Sequence, residues 1–376
     1  MMKICQFVGG HLPPGGLEYA IHYLSNALVE LGHEVWVLAR LAKNKVSILD
    51  EEKTNYRVFR YCLPRSKGLF HGSLIKMMLR DQIKRKKFDI IHAHEIYPAG
   101  YWTLRSLAPF KNIIVITAHG DDIQVAPEYN YGKRLNKQID RKVRWELKEG
   151  RYFTAVSSYL KDEMVALGAA EGSIRVIPHG VDLELFRGQN AFEGVRPYLF
   201  SMGRLIFVKG YDILIRAFAR IVEENPNLDL IIAGRGVEER NLKDLVIKRR
   251  LEERVKFVGF VRGDKKISLL KGCRFYVCPS RIEHLALGNV EGLAAGKPVV
   301  AFNTGGNPDI IKDGKNGLLA KPGDIEDLTD KMQMLLRDDQ LLERMSRQAL
   351  MMVKKYDWLE IARQYESLYK EMISRP

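Results

Sequence analysis

The chain has 376 residues, of which 46% are hydrophobic and 28% are charged, as in a globular protein with two domains of roughly 150–200 residues each. The first residues, MMKICQFVGG, do not have the pattern of a signal peptide, and no later uncharged apolar run is long enough to cross a membrane. We therefore expect a cytoplasmic protein.

The formal net charge of +14 favours anionic partners. Residues 71–89 carry six Lys or Arg against two Asp, and residues 133–151 carry eight against three acidic residues. Both stretches could hold the protein on an anionic membrane, at its inner face. No nucleic-acid-binding module is visible, so nucleic acid is not an expected partner.

The alternative for the first basic stretch is an ordinary surface helix whose apolar side packs on a sheet. That side would comprise Leu74, Ile75, Met78, Leu79 and Ile83. The chain also has four cysteines that form no C-x-x-C pair, namely Cys5, Cys62, Cys273 and Cys278. They lie in or beside apolar segments, which predicts buried free thiols rather than a zinc site.

Strand-like and helix-like segments alternate through the first half. The clearest helical pattern is LEYAIHYLSNALVELG, whose apolar residues recur with a period near 3.6 and which stops at Gly32. The predicted strands are KICQFVG, EVWVLA, DIIHAH, IIVITAH and YFTAVS. Such alternation predicts βαβ units and a parallel, doubly wound sheet.

The alternation restarts after an irregular segment at residues 183–197, which we predict to be a linker. The predicted strands of the second half are YLFSMG, LDLIIAG, VKFVGF, FYVCPS, PVVAF and GLLAKP. We therefore expect an α/β protein with two Rossmann-like doubly wound domains, residues 1–185 and 186–355, which face each other across a cleft. Residues 356–376 predict a C-terminal helix, and ligands should bind at the carboxyl ends of the strands.

A Gly/Pro-rich loop, VGGHLPPGGLEYA, joins the first predicted strand to the first helix. Gly15 and Gly16 would let the backbone approach a ligand closely, and the helix start behind them attracts anions. The loop lacks the G-x-G-x-x-G spacing of dinucleotide sites. An ordinary turn explains it equally well.

The segment TAHGDDI places His119 at the end of a predicted strand, where an exposed histidine is a plausible site residue. The adjacent Asp121 and Asp122 are weak grounds for a metal site. A helix cap is the more common role for at least one of them.

The segment SMGRLIFVKGYD follows a predicted strand and precedes a helix. It contains Gly203, and its Arg204 and Lys209 flank a short loop at the end of that strand. Two cations at this position could clamp a diphosphate, because a guanidinium binds phosphate oxygens in pairs. The alternative is two solvated surface charges.

The segment SRIEHLALGNVEGLAAGKPVVAF places Glu283 and Glu291 on either side of a predicted helix start, and Gly296 closes that helix. The helix start offers free N–H groups and a positive dipole end between two carboxylates. A sugar nucleotide needs these groups in the same order. Its sugar and ribose hydroxyls need acceptors, and the diphosphate between them needs N–H donors. The segment therefore favours a nucleotide-sugar site, and the alternative is a pair of ordinary surface charges.

Together these segments resemble the retaining glycosyltransferases of family 4, which have the GT-B fold. The resemblance covers nearly the whole chain. It rests on GGLEYAIHYLSNALVELGHEVWVL, AVSSYLKDEM, VIPHGVDLELF, GRLIFVKGYDILIRAF and PSRIEHLALGNVEGLAAGKPVVAFNTGGNPDIIKDGKNGLLAKPGD. The last segment contains the paired-glutamate signature of the family, which is the most specific match.

The resemblance implies the residues that bind the donor diphosphate. Gly16, beside Gly15, would approach it closely, and Arg204 and Lys209 would neutralise it. The backbone of three residues would line the phosphate site: Leu285, Ala286 and Leu287. The family usually has Gly where this chain has Ala286, and the methyl group could crowd the donor or be harmless if φ is negative there.

The resemblance also implies contacts to the rest of the donor. Glu283 and His119 would contact the sugar, and Glu291 would contact the ribose hydroxyls. The nucleobase would lie near residues 257–261, which include Gly259. The linker would act as a hinge, and the C-terminal helix would cross back to the first domain.

The expected reaction moves a sugar from a GDP- or UDP-linked donor to a lipid-linked, glycan or small-molecule acceptor, with retention. Arg204, Lys209 and the helix start would stabilise the charge of the leaving diphosphate, so we expect neither a metal nor another cofactor. The alternatives are a nucleotide-sugar epimerase or a phosphorylase on the same fold, or a catalytically silent protein that binds nucleotide sugars.

Overall fold

The computed structural model describes residues 1–8, 15–40, 54–61, 70–107, 110 and 113–374. The chain forms two compact units. The first unit comprises Met1–Gly180 together with Trp358–Pro376, and the second comprises Val181–Asp357. The chain therefore passes between the units twice, after Gly180 and after Asp357. The boundaries predicted from the sequence are at residues 185 and 355.

The first unit has a parallel sheet of seven strands in the order β3-β2-β1-β4-β5-β6-β7. The strands are β1 (Lys3–Val8), β2 (Glu34–Arg40), β3 (Arg57–Tyr61), β4 (Ile90–His94), β5 (Ile114–Ala118), β6 (Tyr152–Ala155) and β7 (Ile174–Val176). The five predicted strands are all present. The two edge strands, β3 and β7, are additional to the prediction.

The helices of the first unit between these strands are α1 (Gly16–Glu30), α2 (Phe70–Lys86), α3 (Tyr101–Ser106), α4 (Lys137–Glu149) and α5 (Ser158–Ala166). The predicted period of α1 is confirmed, because its buried apolar residues are Ala20, Ile21, Leu24, Ala27 and Leu28. The chain turns away after this helix at Gly32, whose φ is +87°, in the left-handed region that glycine adopts readily.

The second unit has a parallel sheet of six strands in the order β10-β9-β8-β11-β12-β13. The strands are β8 (Tyr198–Met202), β9 (Asp229–Ala233), β10 (Val255–Phe257), β11 (Tyr276–Cys278), β12 (Val299–Phe302) and β13 (Gly317–Ala320). All six were predicted. The order reverses between β8 and β11, which is where doubly wound sheets bind ligands.

The helices of the second unit are α6 (Tyr211–Glu224), α7 (Glu239–Lys248), α8 (Gly263–Gly272), α9 (Leu287–Ala294), α10 (Asn307–Ile310), α11 (Ile325–Arg337) and α12 (Asp339–Met352). The predicted C-terminal helix is α13 (Trp358–Ser374), which belongs to the first unit and packs against α1. Its buried side includes Ile361, Tyr365, Leu368 and Tyr369.

The two basic stretches form helices on neighbouring parts of the first unit, because α2 packs against α3 and α3 packs against α4. Leu79 and Ile83 of α2 are buried, as expected for an ordinary surface helix, whereas Met77 is 65% exposed. The side chains of Leu74 and Ile75 lie outside the described part. No helix in the described ranges is both long and apolar enough to span a bilayer.

Three of the four cysteines are described, and all three are buried and free as predicted: Cys5, Cys273 and Cys278. Burial raises the pKa of Cys278 to about 11, so this thiol remains protonated at neutral pH. Cys62 lies outside the described residues.

Candidate functional site

Lys209 lies in the loop between β8 and α6, in a short 3₁₀ turn that ends at Gly210. Gly210 has φ of +69°, and a Cβ there would lie 1.9 Å from the carbonyl oxygen of Pro279. Only glycine therefore allows this loop to pack directly on the loop that follows β11. The packing places Lys209 beside Glu283.

Lys209 and Glu283 form an ion pair, with 2.6 Å between Nζ and Oε2. Glu283 is only 5% exposed. Burial alone would raise the pKa of its carboxyl group, but the ammonium of Lys209, together with His284 and Ser280, outweighs burial and the pKa is lowered. Glu283 is therefore an ionised carboxylate at neutral pH.

The loop of residues 303–307 holds the backbone of Glu283. The carbonyl oxygen of Glu283 accepts a hydrogen bond from the N–H of Gly306 at 3.2 Å. A Cβ on Gly305, where φ is +52°, would lie 1.6 Å from the same oxygen. The two loops can approach this closely only because residue 305 is glycine.

The helix α9 begins directly after Glu283, with Ala286 as its N-cap. The φ of Ala286 is −74°, so alanine adopts this backbone without strain and one of the two expectations for this position is met. The backbone N–H groups of residues 285–288 donate to no protein acceptor within the described ranges. Four free donors at the positive end of a helix form an anion site.

Tyr276 brings the Arg204 loop next to this helix start. Its hydroxyl group donates to the carbonyl oxygen of Met202 at 3.1 Å, and a Cβ on Gly288 would lie 2.3 Å from the same hydroxyl. Gly203 and Arg204 follow Met202 directly. The side chain of Arg204 is exposed and has no ion-pair or hydrogen-bond partner among the described residues, so it is available to an anion.

Glu291 is the fifth residue of α9, just past the helix start, as the sequence predicts. Its Oε1 is 2.5 Å from Nζ of Lys266 on α8. Gly259 lies in the loop before α8, has φ of +70°, and accepts a hydrogen bond from the N–H of Gly234 at 2.8 Å. The structure thus places Glu291 and Gly259 in the same unit as Lys209 and Glu283.

Arg281 fixes the loop that carries Lys209, a role that the sequence did not reveal. Its guanidinium binds both carboxylate oxygens of Asp212 at 2.7 Å and donates to the carbonyl oxygen of Phe207 at 2.8 Å. It also lies 4.0 Å from the centre of the Phe207 ring. A bidentate pair and a stacked ring together restrict the loop on two sides.

The remaining predicted site residues belong to the first unit. Gly15 is extended, with φ of −179°, and its carbonyl oxygen accepts a hydrogen bond from the N–H of Tyr19 at 3.1 Å. Gly16 is the first residue of α1. The preceding residues 9–14 of the Gly/Pro-rich loop lie outside the described residues.

His119 directly follows β5 and is half-buried. Its Nε2 is 3.1 Å from Nδ1 of His94, and its Nδ1 is 3.4 Å from Nε2 of His179. The sequence pattern DIIHAH places His92 and His94 on the same face of a strand, but nothing in it shows which residues their rings meet.

Asp122 is buried and accepts hydrogen bonds from the N–H groups of Ile96 and Gly120, at 2.6 and 2.9 Å. Asp122 therefore holds the start of the helical turn Ile96–Gly100, which is distant in sequence. Asp121 pairs with Lys133 at 3.3 Å. Within the described ranges, no group of three or more His, Cys, Asp or Glu is arranged to hold a metal ion.

Comparisons with known proteins assign the chain to a family. Residues 182–351 match the family described as Glycosyl transferases group 1, and residues 14–185 match Glycosyltransferase Family 4. A glycogen synthase of Mycobacterium tuberculosis is 27% identical, over 96% of this chain and 93% of that protein.

Solved structures share the fold. Sucrose-phosphate synthase from Thermosynechococcus elongatus has a TM-score of 0.83 at 22% identity, with both chains fully covered. Anabaena Alr3699/HepE in complex with UDP and glucose has a TM-score of 0.80 at 21% identity, over 98% of this chain and all of that chain. The chain is a GT-B glycosyltransferase, and it belongs to glycosyltransferase family 4 within the group 1 glycosyl transferases.

Proposed function

We propose that the chain transfers a hexose from a GDP- or UDP-linked sugar to a hydroxyl group of an acceptor, with retention of the anomeric configuration. The acceptor is a lipid-linked sugar, a glycan or a small molecule. The observation that carries the proposal is the row of N–H groups at residues 285–288, which have no acceptor among the described residues and lie beside the ion pair of Lys209 and Glu283.

This row suits the diphosphate of the donor. Phosphate oxygens accept hydrogen bonds from the N–H groups at a helix start and are attracted by the positive end of the dipole. Arg204 has no competing carboxylate among the described residues and can bind the same oxygens in pairs. The relatives named glycogen synthase and the UDP-bound fold neighbour favour a nucleotide-linked hexose as the donor.

The reaction breaks the bond between the anomeric carbon and the diphosphate, so negative charge develops on the diphosphate. Arg204, Lys209 and the N–H groups of α9 are in place before the bond breaks, and they stabilise that charge as it develops. Glu283 accepts hydrogen bonds from sugar hydroxyls while Lys209 keeps it ionised. Glu291 accepts hydrogen bonds from the ribose, and His119 contacts the sugar.

The cationic side chains supply the neutralisation that a divalent metal supplies in other diphosphate sites, so we propose that donor binding is independent of metal. The test is the thermal midpoint of the purified full chain with GDP-, UDP- and ADP-linked sugars, with magnesium or with EDTA. A ligand that binds only the native state raises the midpoint. We expect one nucleotide to raise it equally in both conditions, and no rise with any of them would contradict the proposal.

A second measurement distinguishes transfer from the alternative functions. The chain is incubated with the stabilising donor, without and with inorganic phosphate, and the products are identified. Slow release of free sugar and nucleoside diphosphate is expected from a transferase without its acceptor. Phosphate-dependent sugar phosphate would indicate a phosphorylase, a changed sugar on the intact donor would indicate an epimerase, and unchanged donor would indicate a binding protein.

We further propose that the basic helices α2 and α4 hold the enzyme at an anionic membrane through their charge. The exposed cations of α4 are Lys137, Arg141, Arg144 and Lys148. Leu79 and Ile83 are buried, so these two apolar side chains of α2 are not available to insert into the bilayer. Binding to vesicles with phosphatidylserine should therefore weaken steeply with salt, and binding to neutral vesicles of equal strength would contradict the proposal.

A further inference from the structure

A chain of contacting polar side chains in the first unit includes His119. Gln6 of β1, His94 of β4, His119 after β5 and His179 contact one another in that order, and we call them the histidine relay. The distances between the contacting nitrogen or oxygen atoms are 2.6, 3.1 and 3.4 Å. Gln6 and His94 are almost fully buried, at 0% and 2% exposure.

The proton on His94 is placed by Gln6. Burial, with a further contribution from the neighbouring histidines, lowers the pKa of His94 well below its ordinary value, so the ring is neutral and carries one N–H. Its Nε2 is 2.6 Å from Oε1 of Gln6, an oxygen that can only accept. Nε2 of His94 therefore donates, and its Nδ1 is left as an acceptor.

The same reasoning carries to the next ring. Nδ1 of His94 is 3.1 Å from Nε2 of His119, and an acceptor at that distance requires a donor opposite. Nε2 of His119 therefore carries the proton. In the neutral ring, Nδ1 of His119 is then the acceptor, and it faces Nε2 of His179 at 3.4 Å, a distance at the long end for a hydrogen bond.

We propose that Gln6 and His94 are positioning residues that hold His119 in the Nε2–H form, so that Nδ1 of His119 accepts a hydrogen bond from a hydroxyl group of the donor sugar. The sugar hydroxyl would replace the 3.4 Å contact between Nδ1 of His119 and Nε2 of His179. The role of the accepted hydroxyl rests on the proposed function, whereas the position of the proton on His119 does not.

The position of the proton can be measured on the full wild-type chain by proton–nitrogen NMR of ¹⁵N-histidine-labelled protein. The two neutral forms of histidine give different nitrogen shifts, and a His119→Gln variant identifies the signals of His119. We expect the Nε2–H pattern at neutral pH. An Nδ1–H pattern, or an equal mixture, would overturn the proposal.

A pair of variants tests whether Gln6 and His94 cause that form. Gln6→Met removes the acceptor at nearly constant volume, and we expect the Nδ1–H form of His119 to become visible. The matched control is Thr103→Val, which removes a buried hydroxyl that donates to the carbonyl oxygen of Ala99 at 2.8 Å and has no contact with the relay among the described residues. An equal change in both variants, or no change in Gln6→Met, would overturn the proposal.

Activity separates this proposal from the proposed function. In Gln6→Met, kcat/KM for transfer should fall about threefold to tenfold, the loss expected for one neutral hydrogen bond, with Thr103→Val close to wild type. An unchanged kcat/KM alongside a changed proton position would overturn the hydroxyl contact. A wild-type chain that shows the Nε2–H form and yet transfers no sugar would instead refute the proposed function alone.

Discussion

Lys209 and Glu283 form a nearly buried ion pair, with 2.6 Å between the ammonium and a carboxylate oxygen. The side chains are 22% and 6% exposed, so Glu283 depends on Lys209 for its ionised state. The pair lies beside the N–H groups of residues 285–288, which have no acceptor in the part of the chain that the structure describes. A diphosphate that binds there would share Lys209 with Glu283, which couples donor binding to the state of the carboxylate.

The first prediction uses this dependence. Lys209→Met leaves a buried carboxylate unpaired, so we expect the free energy of unfolding of the second unit to fall by about 1–3 kcal/mol and transfer to be lost. Adding Glu283→Gln removes the unpaired charge, so the double variant should regain stability while remaining inactive. Glu283→Gln alone should be folded and inactive.

Calorimetric unfolding of the three variants tests this cycle, with transfer assayed in parallel. Lys243→Met is the matched control, because Lys243 forms an exposed ion pair on α7 at 2.7 Å and exposed pairs contribute little. Full transfer activity in both single variants at Lys209 and Glu283 would remove these residues from the site. A double variant no more stable than Lys209→Met would contradict the proposed dependence.

The second prediction concerns Arg281. Arg281→Lys keeps the charge but loses the bidentate contact to Asp212 and the stacking on Phe207. The loop of Lys209 should then be held less firmly, and we expect kcat/KM for transfer to fall about tenfold or more. Arg347→Lys is the control, because Arg347 contacts Glu343 on the exposed side of α12. Equal activities of the two variants would show that Arg281 does not position the loop.

The third prediction concerns glycines in close contact. At Gly305, both a left-handed φ and a backbone contact of 1.6 Å oppose a side chain, whereas Gly314 has φ of +74° and nothing within 4 Å of an added Cβ. Gly314→Ala should cost about 1 kcal/mol from backbone strain alone. Gly305→Ala should cost at least about 2 kcal/mol more and impair donor binding, since Glu283 must move.

Thermal midpoints and donor titrations of the two alanine variants check this difference. Equal midpoints would mean that the loop of Glu283 relaxes without strain. That result would weaken the claim that the loop of residues 303–307 holds the carboxylate in place.

Much of this architecture could be predicted from local patterns. Parallel strands buried on both faces are short apolar runs, and the five central strands of the first sheet were recognised as such. The edge strands were missed for physical reasons. β3 reads RVFRY, with arginines at its first and fourth positions, and β7 has only three residues, so neither has the composition of a buried strand.

Only the local part of the candidate site can be read from the sequence. Glu283 and Glu291 lie close in sequence around a helix start, so their relation is local and readable. The partners that fix the site are not local. Lys266 meets Glu291 from another helix, and Arg281 meets Asp212 across 69 positions. Such pairings depend on how helices cross the sheet, which no single segment specifies.

The fourth prediction uses a buried acid of the first unit. Glu146 on α4 is fully buried, and neither carboxylate oxygen has a partner in the described part. Burial, together with the nearby Asp122, raises the pKa of Glu146 well above its ordinary value. The folded chain therefore holds a proton that the unfolded chain releases above about pH 4.5.

The sign of the effect follows. Because the folded state binds the additional proton, the free energy of unfolding decreases as pH rises above the unfolded pKa, by up to about 1.4 kcal/mol per pH unit until the folded pKa is reached. Glu146→Gln should remove this slope, so the variant gains stability relative to wild type between pH 5 and pH 8. All four tryptophans lie in the first unit, so urea unfolding followed by their fluorescence reports it directly. A gain that is the same at both pH values would contradict the assignment.

The last prediction concerns Ala286, where the family resemblance leads us to expect glycine. Since φ is −74° at this residue, the backbone does not need glycine, and Ala286→Gly should lower stability only by about 0.5–1 kcal/mol through the freedom of the unfolded chain. If the methyl group leaves room for the donor, kcat/KM should stay within about twofold of wild type. If the methyl group crowds the diphosphate, its removal should raise donor affinity about tenfold or more, the usual effect of one methyl group in a tight pocket. Titration of both proteins with the stabilising nucleotide sugar decides between these outcomes, and we expect the smaller effect because the N–H groups of α9 already have the geometry of an open anion site.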